Sequence, residues 1–191
     1  MKTKYLGKRT GSQTLDYSPN LLDSVHRSLN ETFHFYGVDY WNAYEFSYLD
    51  SSNQPVLESI EIRIPLDSAY TVESKSLKIY LASFYKRKFK NAINAYKLIE
   101  RDLSNLINSK VVVRKKVKYE IPPKSILING LSKTIKKNTV IKYEGFRSIC
   151  PVTSQPDWAN IYLHSTTNSV DSKKLTKILK SFRERGDFHE A

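Results

Sequence analysis

Apolar residues recur along the chain in two rhythms, one of period two and one near 3.6, and the elements follow from where each holds. Residues 1–35 show neither. They are polar, carry turn signals at Ser18–Pro19 and Asn30–Glu31, and read as an N-terminal extension. Val38 to Leu49 is aromatic and reads as a strand, Ser51 to Pro55 as a turn. Ile60, Ile62 and Ile64 then alternate with Glu61 and Arg63, the pattern of a half-buried second strand, so the two make a β-hairpin. Leu77, Tyr80, Leu81 and Phe84 fall at i, i+3, i+4 and i+7 and predict a helix with one apolar stripe. A second helix is expected from Ala92 to Ile107, with Ile99, Leu103 and Leu106 on one side. Val111–Val113 and Val117–Tyr119 read as strand, and Ile121 to Asn138, rich in Pro and Lys, as loop or linker. Val140–Tyr143 and Ala159–Leu163 read as strands. A last helix is expected from Ser172 to Arg185, with Leu175, Ile178, Leu179 and Phe182 on its inner stripe and Gly186 ending it.

The chain repeats itself. A shift of 98 residues lays Ser74–Leu77 on Ser172–Leu175, Ser83–Phe84 on Ser181–Phe182, and Arg87 on Arg185. Both copies follow a strand pair and open a helix. The expected class is therefore α+β, with an extension over 1–35, a first module over 36–130 and a second over 131–191. The second copy ends where its second helix would begin. Measured against the first, it is short by about fifty residues, so an incomplete second module is expected.

Composition narrows the function classes. Forty per cent of the 191 residues are apolar, enough for a packed core. No run of about 18 apolar residues occurs, so no membrane span is expected. The basic N-terminus lacks the apolar stretch of a secretory signal. The single cysteine, Cys150, excludes an intrachain disulfide and fits a reducing cytosol. Four scattered histidines give no metal-site spacing, so no metal is expected. The net charge of +12 suits a polyanion partner, but most of the lysines fall on polar helix faces, which solvation alone explains.

A few residues carry candidate chemistry. Cys150 lies in Arg147–Thr153; a thiolate is a strong nucleophile, and a nearby cation such as Arg147 lowers its pKa. The plain alternative is a buried cysteine packing as a small apolar group. Seven residues on comes Asp157, followed by Trp158. A carboxyl against that apolar wall has its charged form disfavoured and can act as a general acid; otherwise Asp157 is a turn residue bonding its own backbone. Glu73 precedes Ser74, Lys75, Ser76 and Lys78. Either Ser74 or Ser76 caps the helix with Glu73 merely before it, or Glu73 accepts the paired N–H donors of a guanine-like base while the lysines and helix N-terminus attract cofactor phosphates. Near the end, Asp187 and Glu190 have capping-box spacing. Alternatively Glu190 is a second base-binding carboxylate, with His189 a proton donor or a wall of the site.

Together Glu73–Leu81 with Ser83–Phe84, Ile149–Thr153 running into Gln155–Trp158, and Ser181–Arg183 through Phe188–Glu190 resemble the NADPH-dependent 7-cyano-7-deazaguanine reductase family in its two-module form. Leu6–Lys8, Pro19–Leu22, Val25–Leu29 and Gly37–Trp41 look like that form's N-terminus, so the resemblance spans nearly the whole chain. It implies tandem tunnelling-fold modules, each an antiparallel sheet with two helices on one face, the second module lacking its final elements. It implies that Cys150 adds to the nitrile carbon to give a covalent thioimide, and that Asp157 protonates the nitrile nitrogen. Two hydrides from NADPH as co-substrate then complete reduction to the aminomethyl product, a step in making the queuosine modification of tRNA. Glu73 and Glu190 would hold the deazaguanine, His189 would line the site, and Ser74, Lys75 and Lys78 would lie near NADPH. A homodimer joining sheets is implied, without direct contact to nucleic acid. Two alternatives are a tunnelling-fold protein that binds a deazapurine or pterin without redox chemistry, and a basic RNA-associated module. The latter ranks last, because no stacked-aromatic RNA motif is present.

Overall fold

The computed structural model describes residues 4–5, 16–27, 36–128, 130 and 133–186. Asp187, His189 and Glu190, and the roles expected of them, lie outside the described residues. The chain divides into two units, the first running to Tyr119 and the second starting at Glu120. The α+β class expected from the sequence is the class observed.

In the first unit a 3-10 turn, Pro19–Leu21, leads to β1 (Ser24–His26), β2 (Val38–Leu49), β3 (Pro55–Pro65), β4 (Tyr70–Val72), α1 (Ser74–Ala82), α2 (Ala92–Ile107) and β5 (Val112–Lys115). β2, β3 and β5 form an antiparallel sheet in that order, and β1 pairs with β4 in a small separate ladder. The alternation in β3 works as the pattern predicts: Ile60, Ile62 and Ile64 are fully buried against α1 and α2. Each such side chain contributes about 1.5–3 kcal/mol. Tyr80 and Phe84 come from the α1 side, and Ile99, Leu103 and Ile107 from α2.

The second unit contains β6 (Ile126–Leu127), β7 (Thr134–Ile135), β8 (Thr139–Ile149), β9 (Pro156–Ser165), β10 (Val170–Asp171) and α3 (Ser172–Lys180). β8 lies between β6, which is parallel to it, and β9, which is antiparallel; β7 pairs with β10. Ile128, Ile135, Ile141, Tyr143 and Leu179 form its smaller core.

The repeat is one of structure as well as sequence. α1 and α3 each have nine residues and start at Ser74 and Ser172. Each is preceded by a carboxylate cap, Glu73 or Asp171, that accepts from the second and third backbone N–H groups beyond it. Leu49 bridges in parallel to Lys88, as Ile149 does to Gly186, and their amides donate to Arg87 O and Arg185 O at 2.9 Å. Both first hairpin strands carry a bulge, between Ala43 and Phe46 and between Tyr143 and Phe146.

Several local expectations are corrected. β5 stops at Lys115, and Val117 and Tyr119 are exposed rather than in a strand. The expected linker carries β6 and β7, whose two-residue lengths are too short to show any period. β8 and β9 extend well beyond Val140–Tyr143 and Ala159–Leu163, reaching Ile149 and Pro156. α3 ends at Lys180, not Arg185. There Ser181 N donates to both Lys177 O and Ile178 O, a tightened last turn, and Phe182 turns off to pack on Phe146. Gly186 therefore does not terminate the helix, and Ile178 is exposed. Glu61, expected on a solvated strand face, is 1 % exposed. Arg63 Nε and Arg114 Nε donate to its Oε1 at 2.8 Å, and Lys116 Nζ donates to Oε2 at 3.0 Å.

Candidate active site

The β8–β9 hairpin sets the position of the thiol. A strand shows alternate residues to opposite faces, so unbroken alternation would follow Ile141 and Tyr143 on the core face with Gly145, Arg147 and Ile149. The bulge at Glu144 and Gly145, with Gly145 at φ +69°, inserts one residue and resets the alternation. Phe146, Ser148 and Cys150 consequently face the core, and Arg147 faces away. Burial follows: Ser148 and Cys150 are 2 % and 8 % exposed. Cys150 is the first residue past β8. Its amide donates to Gln155 O at 2.8 Å, and its carbonyl accepts from Ser154 N at 3.0 Å, with Ser154 in the left-handed region at φ +58°.

Asp157 lies on β9 directly opposite Ser148. Cys150 is two residues on from Ser148, so thiol and carboxyl are diagonal neighbours on one face, their backbones roughly 7–8 Å apart. By that register Cys150 and Asp157 fall on the same face of the hairpin. The structure corrects both surroundings expected for them. Asp157 is in a strand, not a turn. Trp158, its immediate neighbour, points to the opposite face and is 58 % exposed, so it is no wall for the carboxyl. The indole instead lies beside two guanidinium groups, Arg147 and Arg183, each with its carbon 5.9 Å from the ring centroid. Arg147 also donates to Arg183 O and to Glu184 Oε1. It is committed to that face and does not adjoin the thiol. A cavity of about 370 Å³ in the second unit is lined by Ile126, Lys133, Thr139 and Ser172 among others. Thr139 is at the far end of β8 from Cys150.

The other candidates stand in the first unit. Glu73 is the N-cap of α1, a role the sequence suggests for Ser74 or Ser76. Its Oε1 accepts from Lys75 N and its Oε2 from Ser76 N, both at 2.8 Å, and the residue is 2 % exposed. Ser76 instead donates its hydroxyl to Glu73 O at 2.7 Å and accepts from Asp23 N at 3.0 Å. Both carboxylate oxygens of Glu73 keep a lone pair for a second donor. Ser74 and Lys78 line a cavity of about 480 Å³ walled by Trp41, Phe46, Leu77 and Leu81. Lys75 is directed elsewhere, its Nζ donating to Tyr5 O at 2.9 Å. His189 and Glu190 lie outside the described residues. Among the described residues, no group of three or more His, Cys, Asp or Glu side chains is arranged to hold a metal. No helix there is long and apolar enough to cross a membrane.

Sequence reasoning missed a buried carboxylate. Asp102 Oδ2 accepts from Tyr17 Oη at 2.6 Å and Tyr80 Oη at 2.7 Å, while Arg101 holds Oδ1 at 2.9 Å. Burial, then the Asp102 bond, pushes the Tyr17 phenol up to about 12. The signal was present: Ala95, Ile99, Asp102 and Leu103 fall at i, i+4, i+7 and i+8 of α2, a charged residue on an apolar stripe.

A duplicated hairpin-and-helix unit of the α+β class thus carries a buried thiol and a carboxyl on one hairpin face, residue types that can serve as nucleophile and acid. The family profile described as "Nitrile reductase, 7-cyano-7-deazaguanine-reductase N-term" matches residues 14–115. A Coxiella burnetii protein named NADPH-dependent 7-cyano-7-deazaguanine reductase is 36% identical over 97% of this chain and 77% of its own length. A Buchnera aphidicola protein of the same name is 33% identical over 82% of this chain and 68% of its own. The chain belongs to the 7-cyano-7-deazaguanine reductase family.

Proposed function

We propose that this protein reduces the nitrile of 7-cyano-7-deazaguanine to the aminomethyl group, with NADPH as co-substrate and Cys150 as covalent nucleophile. The observation that carries the reading is the common face of Cys150 and Asp157, set by the β8 bulge and the β8–β9 register. The Cys150 sulfur forms a bond to the nitrile carbon, one C–N π bond breaks, and the nitrogen takes a proton from Asp157. The product is a thioimide on Cys150. Reduction of the thioimide to the amine takes two hydrides and one proton and releases the Cys150 thiolate; two molecules of NADPH would supply the hydrides, and solvent the proton.

The residues present fit such a cofactor at one place. Lys78 and Ser74 bring a cation and a hydroxyl to a cavity with an aromatic wall at Trp41, a donor set suited to a phosphate beside a ring. The Lys75 and Ser76 amides at the α1 N-terminus are taken by Glu73, which leaves fewer of that turn's donors for an anion. Glu73, through its remaining lone pairs, suits the N–H donors of the deazaguanine, with Glu190 as the second carboxylate and His189 beside it by family resemblance. A lone thiol that must stay reduced fits a reducing cytoplasm. A homodimer is supported by β2, twelve residues long at the edge of its described sheet, since such an edge is a template for another strand.

The test is incubation with 7-cyano-7-deazaguanine. The protein should gain the mass of the nitrile on Cys150 and the long-wavelength absorbance of a thioimide, and should consume NADPH. A Cys150→Ala variant that still reduced the nitrile would overturn the proposal. Substrate binding with no adduct and no NADPH consumption would favour the non-redox binding protein.

A further inference from the structure

Ser148 carries a buried hydroxyl with no hydrogen-bond partner among the described residues. The residue is 2 % exposed. Native interiors rarely leave such a group unpaired, and one beside reactive side chains calls for an account. Ser148 lies between the two groups of the proposed chemistry. It precedes Cys150 by two positions on the same strand face, and it is directly opposite Asp157 across the β8–β9 ladder. Directly opposed side chains have Cβ atoms about 4.5–5.5 Å apart, within which a serine hydroxyl meets a carboxylate by rotation about χ1 alone. Asp157 in turn shows no side-chain hydrogen bond among the described residues. Arg147, the nearest cation in sequence, faces the other way, on Trp158 and Glu184.

We infer that Ser148 is a positioning residue for Asp157. Its hydroxyl donates to one carboxyl oxygen and thereby turns the other toward the nitrile nitrogen as the thioimide forms. Ser148 does not touch the substrate in this scheme; its Oγ is enclosed, and it acts through Asp157. A hydroxyl is a suitable group, because it donates to the carbonyl oxygen of the acid before proton transfer and to the same oxygen of the carboxylate afterwards, leaving the acidic proton free for the nitrile. The inference rests on the covalent mechanism proposed above.

The experiment compares wild type, Ser148→Ala and Ser148→Thr, all as the full chain. Four quantities are read: the rate of thioimide absorbance with 7-cyano-7-deazaguanine, the dissociation constant of that substrate, the rate of iodoacetamide alkylation of Cys150, and the melting temperature. Ser148→Ala should slow adduct formation about tenfold or more, a part of what an aligned general acid contributes. Substrate affinity, alkylation rate and melting temperature should stay within error of wild type. Ser148→Thr keeps the hydroxyl and suits a strand, so it should restore the rate. An alanine variant as fast as wild type overturns the inference and leaves the covalent mechanism standing. Equal loss in both variants, with slower alkylation and a lower melting temperature, makes Ser148 a packing residue and also overturns it. If wild type itself forms no adduct, the covalent mechanism fails and this inference falls with it.

Discussion

Replacing Glu61 by Gln tests whether the charged cluster on the first sheet stabilises the fold. Burial alone would push the Glu61 carboxyl up, but hydrogen bonds from Arg63, Lys116 and Arg114 outweigh it and hold the group at about 2, against an ordinary 4.5. At about 1.4 kcal/mol for each tenfold change in proton affinity, that difference corresponds to about 3 kcal/mol. Removing the charge also takes a 3.0 Å ion pair from Lys116, whose side chain is only 2 % exposed, whereas Arg63 and Arg114 reach water and recover part of their solvation. Losing one partner of a buried pair costs about 3–5 kcal/mol, and the exposed arginines place this case at the lower end. The sign follows from the depressed folded value. The contribution is present above the unfolded value of 4.5 and is lost as pH falls toward 2. Urea denaturation followed by circular dichroism at pH 7, 4 and 3 measures it. Glu61→Gln should be less stable than wild type by about 3 kcal/mol at pH 7, and the gap should narrow steadily below pH 4.5. A gap under about 1 kcal/mol at pH 7, or one of constant size down to pH 3, would refute the argument.

Two further outcomes follow from burial. Tyr17 is held neutral to about 12 by burial and by its bond to Asp102, so its contribution is present below pH 10 and lost between 10 and 12. Tyr17→Phe should lower stability by about 1.5–3 kcal/mol at pH 8 and should remove a high-pH transition from the phenolate absorbance titration. In α3, Leu179→Ala should destabilise by about 2 kcal/mol, while Ile178→Ala on the exposed side should change stability by about 0.5 kcal/mol or less. Thermal melts that ranked the two the other way round would mean that α3 packs through a different face.

What the sequence made legible was governed by local periodicity. β2 and α2 have the bounds the pattern predicts, and the Ile60–Ile62–Ile64 alternation and the Leu77–Tyr80–Leu81–Phe84 stripe identify the first core. Spacing and resemblance single out Cys150 and Asp157 as candidates, but the strand register that relates them is not visible in the sequence. What was illegible depended on pairing between distant positions. Glu61 looks solvent-facing until Arg114, 53 residues away, is known to be its cross-strand partner. Trp158 looks like a neighbour of Asp157 because it is adjacent in the chain, yet adjacency within a strand means opposite faces. The α3 boundary failed for a related reason. The apolar stripe continues through Phe182, but that ring leaves the helical path to meet Phe146. Contact with a remote ring, and not helix propensity, decides where the helix ends.

The duplication separates scaffold from chemistry within one molecule. A residue that both units need is required by the fold, and one that differs at equivalent places is free to serve function. The carboxylate cap belongs to the first kind: Glu73 and Asp171 make the same pair of bonds to the amides two and three residues ahead. Glu73 is therefore fixed in orientation by helix capping alone. The hairpin turn belongs to the second kind. Asp50 and Cys150 occupy the same place, each with its amide bonded to the far side of the turn, at Gln54 O and Gln155 O. Asp50 spends its side chain on that turn, with Oδ1 accepting from Ser52 N and Gln54 N. Cys150 cannot do so, and in its turn Thr153 Oγ1 takes over by accepting from Gln155 N. The exchange leaves the Cys150 side chain out of the turn's hydrogen bonding, on the hairpin face that Asp157 shares. The first unit keeps its turn carboxylate and does structural work there, and the second gives that bond to a threonine, so the cysteine side chain at the same position is not needed to hold the turn.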